Sequence, residues 1–160
     1  MSGALYLICG KMGSGKTTIS KQLSSKFDAI RICEDEWLMA HYPAQVKTLS
    51  DYLKFSNQIK SFVRGLVLDL LKMGRNVVMD YPANTREQRA WLVGLSDDAG
   101  ATHELTYINA SNEKCLSQIA SRRAEQPDRD HFDTDEVFHQ VTAFFEAPCI
   151  EEGLSITEIV

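Results

Sequence analysis

A chain of 160 residues, 44% apolar and 24% charged, is sized and composed like one ordinary globular domain. Its formal net charge of −5 counts against a broad nucleic-acid or anionic-membrane surface, though not against a small basic pocket. Cys9, Cys33, Cys115 and Cys149 are scattered, with neither a C-x-x-C pair nor metal-ligand spacing, which excludes a cysteine metal site and suits a reduced, cytoplasmic compartment.

Ala4–Cys9 is a short apolar run without a basic leader, so it is expected to be a buried strand and not a signal peptide. No stretch approaches the length needed to span a bilayer. The string Gly10-Lys11-Met12-Gly13-Ser14-Gly15-Lys16-Thr17 follows at once and satisfies G-x-x-x-x-G-K-[ST], the phosphate-binding P-loop. Glycines at these positions let the backbone take positive φ, so that several N–H groups converge on one anion. Lys16 is expected to reach the β- and γ-phosphates of a nucleoside triphosphate, and the Thr17 hydroxyl to ligate Mg²⁺. Met12, Ser14 and Thr18 complete the expected phosphate-binding segment from Gly10 to Thr18. From Thr17 the chain reads as a helix whose unpaired N-terminal donors face the same phosphates, with Ile19, Leu23 and Phe27 on its apolar side.

Ala29–Cys33 reads as a second strand, and Glu34, Asp35 and Glu36 follow at its carboxyl end. Phosphoryl transfer needs an acceptor group to hold the attacking hydroxyl in line, and Asp35 is the expected base, ahead of Glu36. An acidic helix start is the plainer alternative. Ile59, Phe62, Val63, Leu66, Val67 and Leu70 keep helical spacing, with Gly74 as the C-cap. Asn76–Met79 forms a third strand ending in Asp80, the position of a Walker B acid that would hold Mg²⁺ through water or accept from Thr17. Trp37, Tyr42 and Tyr81 flank this region as stacking or packing aromatics.

Thr85 caps the next helix, where Arg86 and Arg89 share a face and could meet an anionic group of the acceptor or the lid, or equally stand as surface charges. Leu105–Ile108 is a fourth strand. A helix capped by Ser111 carries Cys115, Leu116 and Ile119 and leads to Arg122 and Arg123. Pro127 ends the helix, and Arg129 lies in a polar stretch up to Thr134. This region, about 122–134, reads as a lid whose arginines swing over the nucleotide and neutralise developing charge. Surface ion pairing is the alternative for each of these arginines. A helix through Val137, Phe138, Val141, Phe144 and Phe145 follows, and Leu154–Ile159 alternates as a terminal strand. The histidines show no metal spacing.

Alternating strands and helices imply βαβ units and a parallel sheet covered on both faces, with ligands beyond the carboxyl ends of the strands. The segments GKMGSGKT, EDEW, VVMDYPANTREQR and SRRAEQPDRDHFDTDEVF resemble small P-loop kinases of the AAA-domain group, related to zeta toxin, chloramphenicol phosphotransferase and polynucleotide 5′-hydroxyl kinases. The resemblance spans nearly the whole chain, as a single P-loop kinase-like domain over residues 1–160. It implies a three-layer α/β fold with a five-stranded parallel sheet of order 2-3-1-4-5. It also implies a Mg²⁺-ATP donor, Asp35 near the acceptor hydroxyl, Asp80 at the metal, and Arg122, Arg123 and Arg129 in the lid. Asn109 departs from the pattern, since many relatives carry an acid there, and the stretch between Trp37 and Tyr52 matches none of the group's segments. The expected activity is transfer of the γ-phosphate of Mg²⁺-ATP to a hydroxyl of a small molecule. A polynucleotide 5′-hydroxyl kinase and a nucleotide-dependent switch read by a protein partner are the alternatives. The absence of an N-K-x-D string disfavours a GTPase switch.

Overall fold

The computed structural model describes residues 1–129 and 133–160, with Arg129 described in its backbone only. Five strands, β1 (Ala4–Gly10), β2 (Ala29–Cys33), β3 (Asn76–Asp80), β4 (Thr102–Ile108) and β5 (Ile156–Ile159), form one parallel sheet of order β2-β3-β1-β4-β5. β1 and β3 are apolar throughout their centres because both faces of each are covered. Side chains of alternate residues then face opposite helical layers. Leu5, Leu7, Cys9, Val77 and Met79 point to one core; Tyr6, Ile8 and Val78 point to the other.

The first core is closed by α2 (Glu34–His41), α3 (Leu49–Lys72) and α4 (Arg86–Ala99). The second is closed by α1 (Lys16–Lys26), α5 (Asn112–Glu125) and α6 (Asp135–Thr142), with Phe138 fully buried in it. The sheet order expected from the family resemblance is the one found, giving a P-loop kinase-like α/β fold.

The segment after β2 carries more helix than periodicity suggested. α2 opens on the three carboxylates, which complement the positive end of the helix dipole. α3 begins at Leu49, ten residues before Ile59. Its start is a capping box: the Thr48 hydroxyl accepts from the Asp51 N–H, and the Asp51 carboxylate accepts from the Thr48 N–H. The first half of α3 was hidden because Leu49 and Leu53 are exposed and break the apolar stripe. Thr85 and Ser111 cap α4 and α5 as expected, accepting from the Gln88 and Lys114 N–H groups. At the other end, α6 stops at Thr142, leaving Phe144 and Phe145 beyond it. The four cysteines are unpaired. No described helix is long and apolar enough to cross a membrane.

Candidate active site

The loop between β1 and α1 is built by glycines at the two places that require them. Gly13 has φ +77° and Gly15 φ +99°, both in the left-handed region. Gly13 has a second constraint: a Cβ there would lie 2.6 Å from Ile119 Cγ1 and 2.7 Å from the Cys115 carbonyl oxygen on α5. The loop is therefore seated directly on α5. Its entry is held by Asn84, whose Oδ1 accepts from the Gly10 N–H at 3.2 Å and lies 3.7 Å from Cys9 Sγ. Lys11 Nζ donates to Asn112 Oδ1 at 2.9 Å, so this lysine turns towards α5. Lys16 and Thr17 open α1, where free N–H groups and the helix dipole favour an anion. Ser14 is buried, and its Oγ has no hydrogen-bond partner among the described residues. A buried hydroxyl without a partner at a loop built for phosphate fits a bound nucleotide.

Asp80 ends β3 and sits opposite Cys33 of β2 in the register. Its Oδ2 accepts from Ser20 Oγ at 2.8 Å and from Arg31 Nη2 at 2.8 Å. Ser20 lies on α1, one turn beyond Thr17, and a Thr17–Asp80 bond is not formed. Magnesium keeps several waters and takes one or two protein ligands beside phosphate oxygens. The Thr17 hydroxyl and the Asp80 carboxylate are oxygen donors of the kind that would fit such an ion beside a bound nucleotide. No described cluster of three or more His, Cys, Asp or Glu could cage a metal without a nucleotide.

The three carboxylates after β2 separate sharply. Asp35 and Glu36 are exposed in the first turn of α2. Glu34 is only 4% exposed and turns towards α3, where Tyr52 donates to Oε1 and Ser56 to Oε2. Burial drives its carboxyl up to about 7, Asp35 adds to the rise, and the Ser56 hydrogen bond, Lys16 and Lys60 oppose it. In the sequence Glu34 is indistinguishable from its two acidic neighbours, because its partners Tyr52 and Ser56 lie 18 and 22 residues away on a helical turn that the apolar periodicity does not mark.

The arginines divide in the same way. Arg122 makes a bidentate pair with the fully buried Asp133, at 2.9 and 2.7 Å, and Arg123 Nη1 donates to the Asp133 carbonyl at 2.8 Å. These two therefore belong to α5 and tie its end to the start of α6. Arg129 stands in a single 3₁₀ turn, Pro127–Arg129. Residues 130–132 of the expected lid lie outside the described residues.

Arg86 and Arg89 do share a face of α4, but the chain's own C-terminal segment fills it. Arg86 Nη2 lies 3.0 Å from Cys149 Sγ and 4.0 Å from Glu151. Arg89 is fully buried and binds Glu152 through two hydrogen bonds, with Nη1 donating to the Ala83 and Glu146 carbonyls. The expectation that Arg89 meets a substrate is corrected accordingly: a guanidinium enclosed by four protein contacts offers nothing to a ligand.

The AAA domain family matches residues 5–148, nine-tenths of the chain. The chain belongs to the AAA domain family. No curated protein matches it. Among solved structures, this AAA-domain chain is similar to a "putative kinase" of Chloroflexus aurantiacus, with a TM-score of 0.78 and 15% identity over 99% of this chain and 88% of that one. It is also similar to a gluconokinase of Sinorhizobium meliloti, with a TM-score of 0.63 and 15% identity over 99% and 83%. A third is the APS kinase of Mycobacterium tuberculosis in complex with AMPPNP and APS, with a TM-score of 0.62 and 16% identity over 92% and 84%. At these identities the likeness is one of fold, that of the small P-loop kinases.

Proposed function

We propose that the protein is an ATP-dependent phosphotransferase that moves the γ-phosphate of Mg²⁺-ATP to a hydroxyl of a small molecule. The observation that carries this reading is the placement of two chemically distinct halves at one edge of the sheet. Lys16 and Thr17 follow β1, the carboxylates follow β2, and β3 with Asp80 lies between them. A nucleotide site alone would not need exposed carboxylates, Asp35 and Glu36, at the carboxyl end of a strand two places from β1. The three kinases of like fold are consistent with it.

In this reading the loop N–H groups and Lys16 hold the β- and γ-phosphates. Thr17 and, through water, Asp80 hold Mg²⁺, which when bound neutralises charge on the phosphates. Asp35 accepts the proton of the attacking hydroxyl as its oxygen bonds to the γ-phosphorus, while the bond from that phosphorus to the bridging oxygen breaks and ADP leaves. Arg129 is the arginine proposed to close over the transferring group, while Arg123 is engaged at the start of α6 by the Asp133 carbonyl and Asp135. Arg122 is engaged by Asp133 and acts by holding the start of α6. Incubation with Mg²⁺ and γ-labelled ATP against pooled sugars, nucleosides, aminoglycosides and oligonucleotides is the decisive experiment. Label entering one pool fixes the acceptor class; equal hydrolysis in every pool and the blank sinks the phosphotransferase reading.

A further inference from the structure

Asp80 is held more firmly than a metal-linked acid at a strand end requires. Arg31 of β2 donates from Nη2 to Asp80 Oδ2 at 2.8 Å and from Nε to Ser20 Oγ at 2.7 Å. Ser20 closes the triangle on the same carboxylate oxygen at 2.8 Å, and Ser20 Oγ also lies 2.9 Å from the Thr17 carbonyl. The single hydroxyl proton favours the charged acceptor, so the carboxylate takes it. Ser20 is fully buried, and the Arg31 and Asp80 side chains are 13% and 9% exposed. The remaining arm of Arg31, Nη1, reaches Glu36 at 2.7 Å, but Glu36 is 62% exposed, so that pair adds little energy and mainly orients the guanidinium plane.

Three elements thus meet on one oxygen. We propose that Arg31 is a positioning residue for the Asp80 carboxylate, fixing Oδ2 on Ser20 and reserving Oδ1 for a water of the Mg²⁺ bound at Thr17. Because Ser20 stands one turn beyond Thr17 on α1, the clamp references the acid and the metal-binding hydroxyl to the same helix before any nucleotide arrives. The planar fork of arginine makes this possible; a lysine would supply the charge without the two directed bonds. The inference rests on the Mg²⁺-nucleotide reading above.

The test is the Mg²⁺ enhancement of nucleotide affinity: the ratio of Kd in EDTA to Kd in Mg²⁺ for a fluorescent, non-hydrolysable ATP analogue bound to the full chain. Arg31→Met is expected to lower this ratio at least fivefold while the Kd in EDTA moves less than twofold. Ser20→Ala should lower it in the same direction, and Arg31→Lys should restore only part of it. If Arg31→Met does not fold, Arg31→Lys and Ser20→Ala carry the test. A wild-type ratio in the folded variants overturns the proposal, as does equal weakening in EDTA and in Mg²⁺, which marks a structural role only. A wild-type protein with no gain from Mg²⁺ removes the metal-linked role of Asp80 and this inference with it. A normal gain without phosphorylation of any acceptor pool sinks the phosphotransferase reading alone.

Discussion

Arg89 on α4 grips Glu152 through two hydrogen bonds, Nε to Oε1 at 2.8 Å and Nη2 to Oε2 at 3.1 Å, although 63 residues separate them. The pair is buried, and it fastens the C-terminal segment to the helix that follows β3. Removing one partner of a buried ion pair leaves an uncompensated charge, at a cost of about 3–5 kcal/mol. Arg89→Met is therefore expected to lower stability by about that amount in urea denaturation, and to open residues 146–152 to proteolysis. Burial alone would raise the Glu152 carboxyl, but its hydrogen bonds from Arg89 and the Cys149 N–H outweigh this and hold it low. The folded form thus favours the carboxylate. The stability this contributes is present above the ordinary carboxylate range and is lost as pH falls through the depressed value.

Glu34 has the opposite sign. Its folded value of about 7 lies above the ordinary 4.5, so the fold favours the protonated form. That contribution is complete below about 4.5 and is lost as pH rises to about 7. Glu34→Gln removes the titration while keeping the shape, and Ser56 can turn its hydroxyl to accept from the new amide. At pH 8 the variant should equal or exceed the wild-type stability, by up to roughly 3 kcal/mol. The advantage should vanish at about pH 4. Thermal melts at pH 5, 6.5 and 8 measure it; parallel pH curves for the two proteins would show that folding does not shift the Glu34 carboxyl.

Gly13→Ala meets two penalties at once. The left-handed φ of +77° disfavours a Cβ, and the α5 backbone carbonyl of Cys115 stands in its way at 2.7 Å. Strain and overpacking together are expected to cost about 2–4 kcal/mol. Because the loop must lift from α5 to relieve them, affinity for an ATP analogue should fall with stability. Unchanged affinity would mean that the loop does not need this seat.

Lys16→Ala removes the charge that the proposed mechanism sets on the β- and γ-phosphates. Transfer is expected to fall by about 10²–10³, or 3–4 kcal/mol, by the magnitude of a lost oxyanion donor. Steady-state release of ADP measures it, and near-normal turnover would refute the donor assignment. In the same assay Asp35→Asn should abolish acceptor-dependent turnover while an ATP analogue still binds. Surviving transfer would pass the role of base to another group, with Glu34 the nearest buried carboxyl.

The P-loop, its flanking strand and helix, and the alternation of elements were legible in the sequence because each rests on local physics. Glycine supplies positive φ where the backbone must curl, and apolar runs of strand length announce burial on both faces. Capping residues such as Thr85 and Ser111 act within three positions of themselves. What tertiary structure alone decided is the partner of each charged side chain. Asp80 meets Ser20 across 60 residues, and Gly10 meets Asn84 across 74. Arg86 and Arg89 looked alike on their helix, and only the return of the C-terminal segment buried one of them. Among three successive carboxylates, Glu34 alone was turned inward by α3 while Asp35 stayed in solvent. Periodicity reports which face of an element is apolar, but the field at a polar group is set by whatever the fold brings beside it.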